Sequence, residues 1–224
     1  MAKVDGTRGK RPEPKTTASQ RRSRVDNGLG IGSERRTAIL RVAEELFSRK
    51  GISNTTVRDI GDAAGILSGS LYHHFTSKEA MVAEVLTEYL DAILRDYAQV
   101  EAAHLDPIER LRGLVRASFG AIDRDPWACS IYQNEHKYLA SMPSLEEVHR
   151  RSDRVQKYWL GAIEAGVSEG SLRADIPARI FYSMLRDSVW FTVRWYHPGG
   201  RYSLDRLTDM FMEVFMNGFS TSGT

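Results

Sequence analysis

The stretch Ala64–Met81, AGILSGSLYHHFTSKEAM, crowds Ser68, Ser70, Tyr72, His73, His74 and Lys78 together. Hydroxyls, imidazoles and an ammonium so close to one another suit three kinds of chemistry: metal ligation, nucleophilic catalysis, or hydrogen bonding to a partner. Adjacent residues on a helix point about 100° apart, so His73 and His74 do not converge on one ion as an i,i+4 pair does. Neither H-E-x-x-H nor H-x-E followed by C-x-x-C accompanies them, which argues against a metal centre. A nucleophilic serine needs a base, a third orienting group and a rigid elbow such as G-x-S-x-G. The sequence offers no such elbow and no strand to carry one. The expectation is a binding protein with no enzymatic activity, no metal and no cofactor.

The elements that position these side chains are read from apolar periodicity. From Glu34 onward, Ile39, Val42, Ala43, Leu46 and Phe47 recur at helical steps, and Gly51 is placed to cap the end. Thr55 and Thr56 are candidate N-caps for a helix with Val57, Ile60 and Ala64 on one face, which stops at Gly65. A second short helix, SGSLYHHF, is expected with Ser68 as its cap, and a longer amphipathic helix follows Ser77. Two short, half-apolar helices joined by a glycine-led turn make a helix-turn-helix. Gly61 and Ala64 supply the close contact, Ile60, Ile66 and Leu71 the shared core, and Gly65 the left-handed turn position. The remaining face carries Ser68, Gly69, Ser70, Tyr72, His73 and His74, groups suited to a major groove and its phosphates. Lys78 serves as a point charge for a phosphate.

Beyond Asp106-Pro107, helices are read at about 107–124, 126–140, 144–168, 177–196 and 203–220, separated by proline and glycine breaks. With no strand pattern and no repeat, the expected fold class is all-α. It has about nine helices, a three-helix helix-turn-helix domain at residues 34–80 and a helical domain at residues 81–224.

Net charge is only +2 over 224 residues, but it is unevenly spread. Residues 1–33 hold eight basic and three acidic residues, and residues 1–80 hold 15 and 9, which leaves the remainder net acidic. The basic end suits a polyanion. Residues 1–33, rich in Pro, Gly, Ser, Thr and charge, are expected to be a disordered basic arm. The single Cys129 excludes an intramolecular disulfide, suits a reducing compartment and is expected as a small buried hydrophobe. No apolar run reaches the roughly 18 residues of a membrane span, and the N-terminus lacks a signal-peptide core. A cytoplasmic protein with no membrane partner follows as the expectation.

In the acidic part, ARIFYSMLRDSVWFTVRWY is apolar on nearly all sides. Phe181, Met184, Ser188, Phe191 and Trp195 trace one face; Tyr182, Arg186, Trp190 and Arg194 trace another. A helix buried on both sides is expected between a pocket and a dimer interface, with the last helix, carrying Leu207, Phe211 and Phe215, as its neighbour. Arg186, in so apolar a helix, needs an anionic partner: Asp187, Glu164, or a group on a ligand. Trp127, Tyr132, Gln133, Asn134 and His136 add polarity for such a pocket.

Thr55–Leu86, TTVRDIGDAAGILSGSLYHHFTSKEAMVAEVL, resembles the DNA-binding region of TetR-type transcriptional repressors, whose pattern is T-x-x-x-I-A-x-x-A-G-V-S-x-G-x-L-Y-x-H-F-x-x-K-x-x-L. The resemblance implies a homodimer on double-stranded operator DNA, with contacts from Thr56, Ser68, Gly69, Ser70, Tyr72, His73 and Lys78. It also implies release by a small-molecule effector held in the C-terminal helices. Gly61 departs from the alanine usual there. Together with LRDSVWFTVRWYHPGG, the stretch is similar to the repressors of ketosteroid catabolism within that family, which respond to a coenzyme A thioester. That likeness implies effector contacts from Arg186 and Trp190. The alternatives are a fatty acyl-CoA or a hydrophobic cation as effector, or a ligand-independent architectural DNA-binding protein.

Overall fold

Capping side chains at Thr56, Ser77, Asp106 and Asp125 set where four of the helices begin. In the computed structural model, residues 18–219 are described, with side chains from Ser33 onward except those of residues 136, 137, 218 and 219. They form ten α-helices and two 3-10 turns, with no strand among the described residues. The helices are α1 (Ala18–Lys50), α2 (Val57–Ala64), α3 (Ser68–Leu71), α4 (Lys78–Ala102), α5 (Pro107–Arg124), α6 (Pro126–Asn134), α7 (His136–Ala140), α8 (Glu146–Ser168), α9 (Ala178–Trp190) and α10 (Leu204–Phe219). Asp106 and Asp125 cap α5 and α6 by accepting from backbone N–H groups. Each is followed by a proline in the first turn, where a missing N–H costs nothing. Ser77 caps α4 through Ala80 N at 3.1 Å.

Four boundaries differ from the sequence expectation. First, α1 begins at Ala18 rather than Glu34, because once a helix is nucleated each further residue extends it cheaply, and no proline lies between Lys15 and Ser33. Residues 1–17 of the expected basic arm lie outside the described residues. Second, α3 is a single turn capped at Leu67 without a side-chain hydrogen bond, so Ser68 is its first residue and not its cap. Third, the expected 126–140 helix is two helices, broken at Glu135, whose carboxylate turns aside to accept from Ile52 N at 3.3 Å. Fourth, α9 tightens into a 3-10 turn at Phe191–Arg194, where the Thr192 hydroxyl donates back to the Ser188 carbonyl at 3.1 Å.

The described residues from Ile39 onward pack as one unit. Ile39, Leu40, Ala43 and Phe47 of α1 share one apolar core with Ile60, Leu71, Phe75 and Met81 of α4, all buried. α4 then runs on against α5, α6 and α8. Between these helices a buried polar chain is fully paired: Trp159 Nε1 donates to the Tyr97 hydroxyl at 3.0 Å, Tyr97 and Ser118 hydroxyls meet at 2.5 Å, and Ser118 donates to Leu114 O. Such pairing removes the cost of burying those groups. α10 lies on α5 through Phe119 and Phe211 and the ion pairs Arg112–Asp209 and Arg116–Asp205. No helix among the described residues is long and apolar enough to cross a membrane.

Candidate functional site

The turn between α2 and α3 is set by two glycines. Gly65 takes the left-handed conformation (φ 66°, ψ 35°), which glycine adopts without strain. Its N–H and that of Ile66 bond back to the last turn of α2, Ile66 N to Gly61 O at 2.9 Å. A Cβ on Gly61 stands 3.0 Å from Ile66 O, so the glycine found there lets the turn close tightly on α2.

Around this turn the expected DNA-contacting residues divide into two groups. Ser68, Gly69, Ser70, Tyr72 and His73 lie together on α3 and the turn after it, with Gly69, Tyr72 and His73 exposed and Tyr72 58% so. His74 is half-buried, so of the two histidines His73 is the one presented outward. Thr56 and Lys78, by contrast, are engaged within the protein. Thr56 and Asp59 form a reciprocal capping box: Asp59 N donates to Thr56 Oγ1 at 3.1 Å, and Thr56 N donates to Asp59 Oδ2 at 2.8 Å. The Thr56 hydroxyl, and after it the Thr56 N–H, hold the Asp59 carboxyl down to about 2. Lys78 Nζ donates to the carbonyls of Ile52 (2.7 Å) and Thr55 (3.0 Å), tying α4 to the α1–α2 loop. An ammonium has three donors, so one is left for a phosphate.

The second feature is a cavity of about 340 Å³ between α4, α6, α8 and α9. Arg186 and Trp190, the two expected effector contacts, both line it. Trp190 is buried and meets Tyr89 edge-on at 6.4 Å. Arg186 is half-exposed; its Nε donates to Asp187 Oδ1 at 2.8 Å, and its guanidinium lies 5.7 Å from the Tyr182 ring centroid. Of the two internal acids considered from sequence, Asp187 makes this contact. Burial pushes the Tyr182 hydroxyl up to about 12, with the Arg186 charge pulling the other way. Tyr132 and Ser152 join their hydroxyls across α6 and α8.

Tyr132 and Gln133 of the expected polar segment reach the cavity, whereas Trp127, Asn134 and Arg194 are not in its lining, and the His136 side chain lies outside the described residues. Arg194 instead donates to Asn134 Oδ1 at 3.4 Å and stacks over Phe191. Sequence reasoning missed Leu90 and Ile93 of α4 and Ser152, Val155 and Gln156 of α8. Their only signal is the pair Ser152 and Gln156, polar at i,i+4 on either side of apolar Val155. The outer face of α9 is Ile180, Met184, Phe191 and Trp195, all exposed; Phe181, expected on that face, is buried instead. Val214 of α10 is exposed as well. Among the described residues no group of three or more His, Cys, Asp or Glu side chains could hold a metal ion.

A helix-turn-helix head continued by a long helix into an all-helical body with a cavity defines a bacterial DNA-binding regulator. A family profile described as bacterial regulatory proteins of the tetR family matches residues 39–85, and one described as a tetracyclin repressor-like C-terminal domain matches residues 104–219. The transcriptional repressor KstR2 of Rhodococcus jostii is 42% identical over 84% of this chain and 93% of its own. KstR2 of Mycobacterium tuberculosis H37Rv is 39% identical over 89% of this chain and all of its own. The structure of the ketosteroid transcriptional regulator KstR2 of M. tuberculosis superposes with a TM-score of 0.77, covering 84% of this chain and 96% of that one. The chain belongs to the TetR family and is a TetR-type transcriptional repressor resembling the regulators of ketosteroid catabolism.

Proposed function

We propose that this repressor acts as a homodimer on a palindromic operator and is released by a coenzyme A thioester derived from steroid-ring degradation. The observation that carries the effector reading is the shared cavity of Arg186 and Trp190 in a chain this similar to KstR2 repressors. A cavity of about 340 Å³ suits the acyl end of such a ligand, with the nucleotide end passing out beside half-exposed Arg186. Leu90, Ile93, Val155 and Trp190 supply the apolar wall, and Gln133, Gln156 and the Tyr132–Ser152 pair supply partners for ring oxygens. A hydrophobic cation in the same place meets a guanidinium, which disfavours it.

In this reading α3 lies in the major groove, with Ser68, Gly69, Ser70, Tyr72 and His73 toward bases and phosphates. Thr56 contributes its backbone end of α2, and Lys78 its remaining donor. The apolar faces of α9 and α10 cover each other in the dimer, which puts the half-site spacing under control of the body. An effector shifts the repressor off DNA only by the difference in its affinity for the two states.

Mass spectrometry of ligand retained by the purified dimer tests the effector directly, and calorimetry ranks steroid-derived CoA thioesters against fatty acyl-CoAs, free acids and cationic dyes. Tight binding by the steroid-derived thioester is expected; preference for another class overturns the effector reading. Selection from a random duplex pool is expected to return a palindrome. Equal affinity for selected and random duplex at matched salt identifies an architectural binder instead.

A further inference from the structure

Glu44 is a carboxyl in a place that neither DNA reading nor effector binding explains. It sits on α1 beside Leu40, Ala43 and Phe47 in the apolar core of the head, only 4% exposed. Its Oε1 has no hydrogen-bond partner among the described residues, and its Oε2 has a long 3.5 Å contact with Arg41, a side chain mostly in solvent. The group that meets it is another carboxyl, Asp125. Asp125 is the N-cap of α6, where its Oδ1 accepts from Ala128 N at 3.2 Å. Two ionised carboxylates do not stay in buried contact; one proton between them lets one donate and the other accept.

We propose that Glu44 and Asp125 are a positioning pair, joined by one shared proton, that registers α1 of the DNA-reading head on α6 of the cavity wall. α6 is suited to this role. It presents Tyr132 and Gln133 to the cavity, and at its other end Glu135 accepts from Ile52 N in the α1–α2 loop. One helix therefore touches the cavity on its side and the head at both ends. The pair rests on the reading of these two regions as DNA-binding and effector-binding.

Two groups favour the charged form of Glu44, the Arg41 guanidinium and the Ala128 N–H in the first turn of α6, and burial together with Asp125 outweighs them. Among the described side chains of α1 the charged neighbour is solvent-exposed Arg41; from α6 and α4 come the Cys129 thiol and the Tyr89 hydroxyl. Burial pushes the thiol up to about 12 and the Tyr89 hydroxyl well above its ordinary value, so both are neutral in the working range. Burial first, and contact with Asp125 second, raise the Glu44 carboxyl to about 8. Because that lies above the ordinary 4.5, the contribution to folding is complete below about 4.5 and is lost as the pH rises to about 8. Above that value two charges repel across the head–body joint.

Infrared difference spectra of the full-length, DNA-free protein test the proton itself. Between about pH 7 and about pH 9 the wild type is expected to lose a carboxylic-acid carbonyl band that Glu44→Gln lacks. Operator affinity, measured at constant ionic strength on a duplex selected from a random pool, tests the coupling. Wild-type affinity is expected to fall about tenfold over the same range. Glu44→Gln and Asp125→Asn, whose amides donate without a titrating proton, keep the neutral-pH affinity throughout. The difference between the profiles of wild type and variants reports the pair. Absence of the carbonyl band, or a Glu44→Gln profile that superposes on the wild type, overturns the proposal. If no duplex is selected, the DNA reading fails while the infrared band still decides whether the proton is shared.

Discussion

The reading head and the cavity are both made of helices, yet they are assembled by opposite means. Every residue expected at the DNA surface comes from Thr56 to Lys78, and each is placed by a local device: the Thr56–Asp59 capping box, the left-handed Gly65, the Ser77 cap. The cavity draws on α4, α6, α8 and α9, from Tyr89 to Phe191, and tertiary packing alone brings those side chains together. A site built from one continuous stretch keeps its geometry through caps and turns, whereas one built from four helices inherits its geometry from the core. The two regions are therefore sensitive to different substitutions.

The largest expected effect is in the body. Trp159 is fully buried and donates to Tyr97, so Trp159→Ala is expected to cost about 3–5 kcal/mol in thermal unfolding. Operator and effector binding should disappear together. Operator binding that survives shows that the head stands without the body.

Lys78→Gln comes next. Loss of its bonds to Ile52 O and Thr55 O is expected to cost about 2 kcal/mol, as for hydrogen bonds from a charged donor. The salt dependence of operator binding separates the two roles of this side chain. An unchanged slope makes Lys78 purely a strut, and a slope reduced by about 1 makes it a phosphate contact too.

How much could be read in advance follows the same division. The periodicity of Ile39 to Phe47, the Gly51 and Gly65 stops and the Asp-Pro helix starts are local signals, and the helices they mark are present. The single-turn length of α3 was hidden because Ser68 looks like a cap, while the structure places exposed Leu67 there. Arg186 was legible as a charge in an apolar helix, but its pairing with adjacent Asp187 depends on rotamers that no sequence pattern encodes. Leu90, Ile93 and Val155 read as ordinary core, because an apolar cavity wall and an apolar core share one pattern. The spacing groups Phe181 with Met184, Phe191 and Trp195, but the helix phase turns Phe181 inward and brings Ile180 out beside them.

Smaller effects sharpen the head. Tyr72 is exposed, so Tyr72→Ala is expected to leave the melting temperature and effector affinity unchanged while weakening operator binding about tenfold. Joint loss of both affinities would point to misfolding. Thr56→Ala removes the α2 cap and is expected to lower stability by about 1 kcal/mol. It also removes the main cause of the low Asp59 value. In the wild type that carboxylate stabilises the head above its ordinary 3.8, and the contribution is lost as the pH falls to about 2. Acid unfolding of Thr56→Ala should show that dependence weakened, with the N–H of residue 56 and Lys50 still acting on the carboxylate.

The central claim, that a ligand in the α4–α6–α8–α9 cavity governs what the head does, is tested most directly by titrating operator-bound protein with a steroid-derived CoA thioester. Wild type and Arg186→Met are expected to bind operator equally, and only the wild type should be released. Release of Arg186→Met on the wild-type curve, or a wild type that stays bound at saturating thioester, contradicts the account.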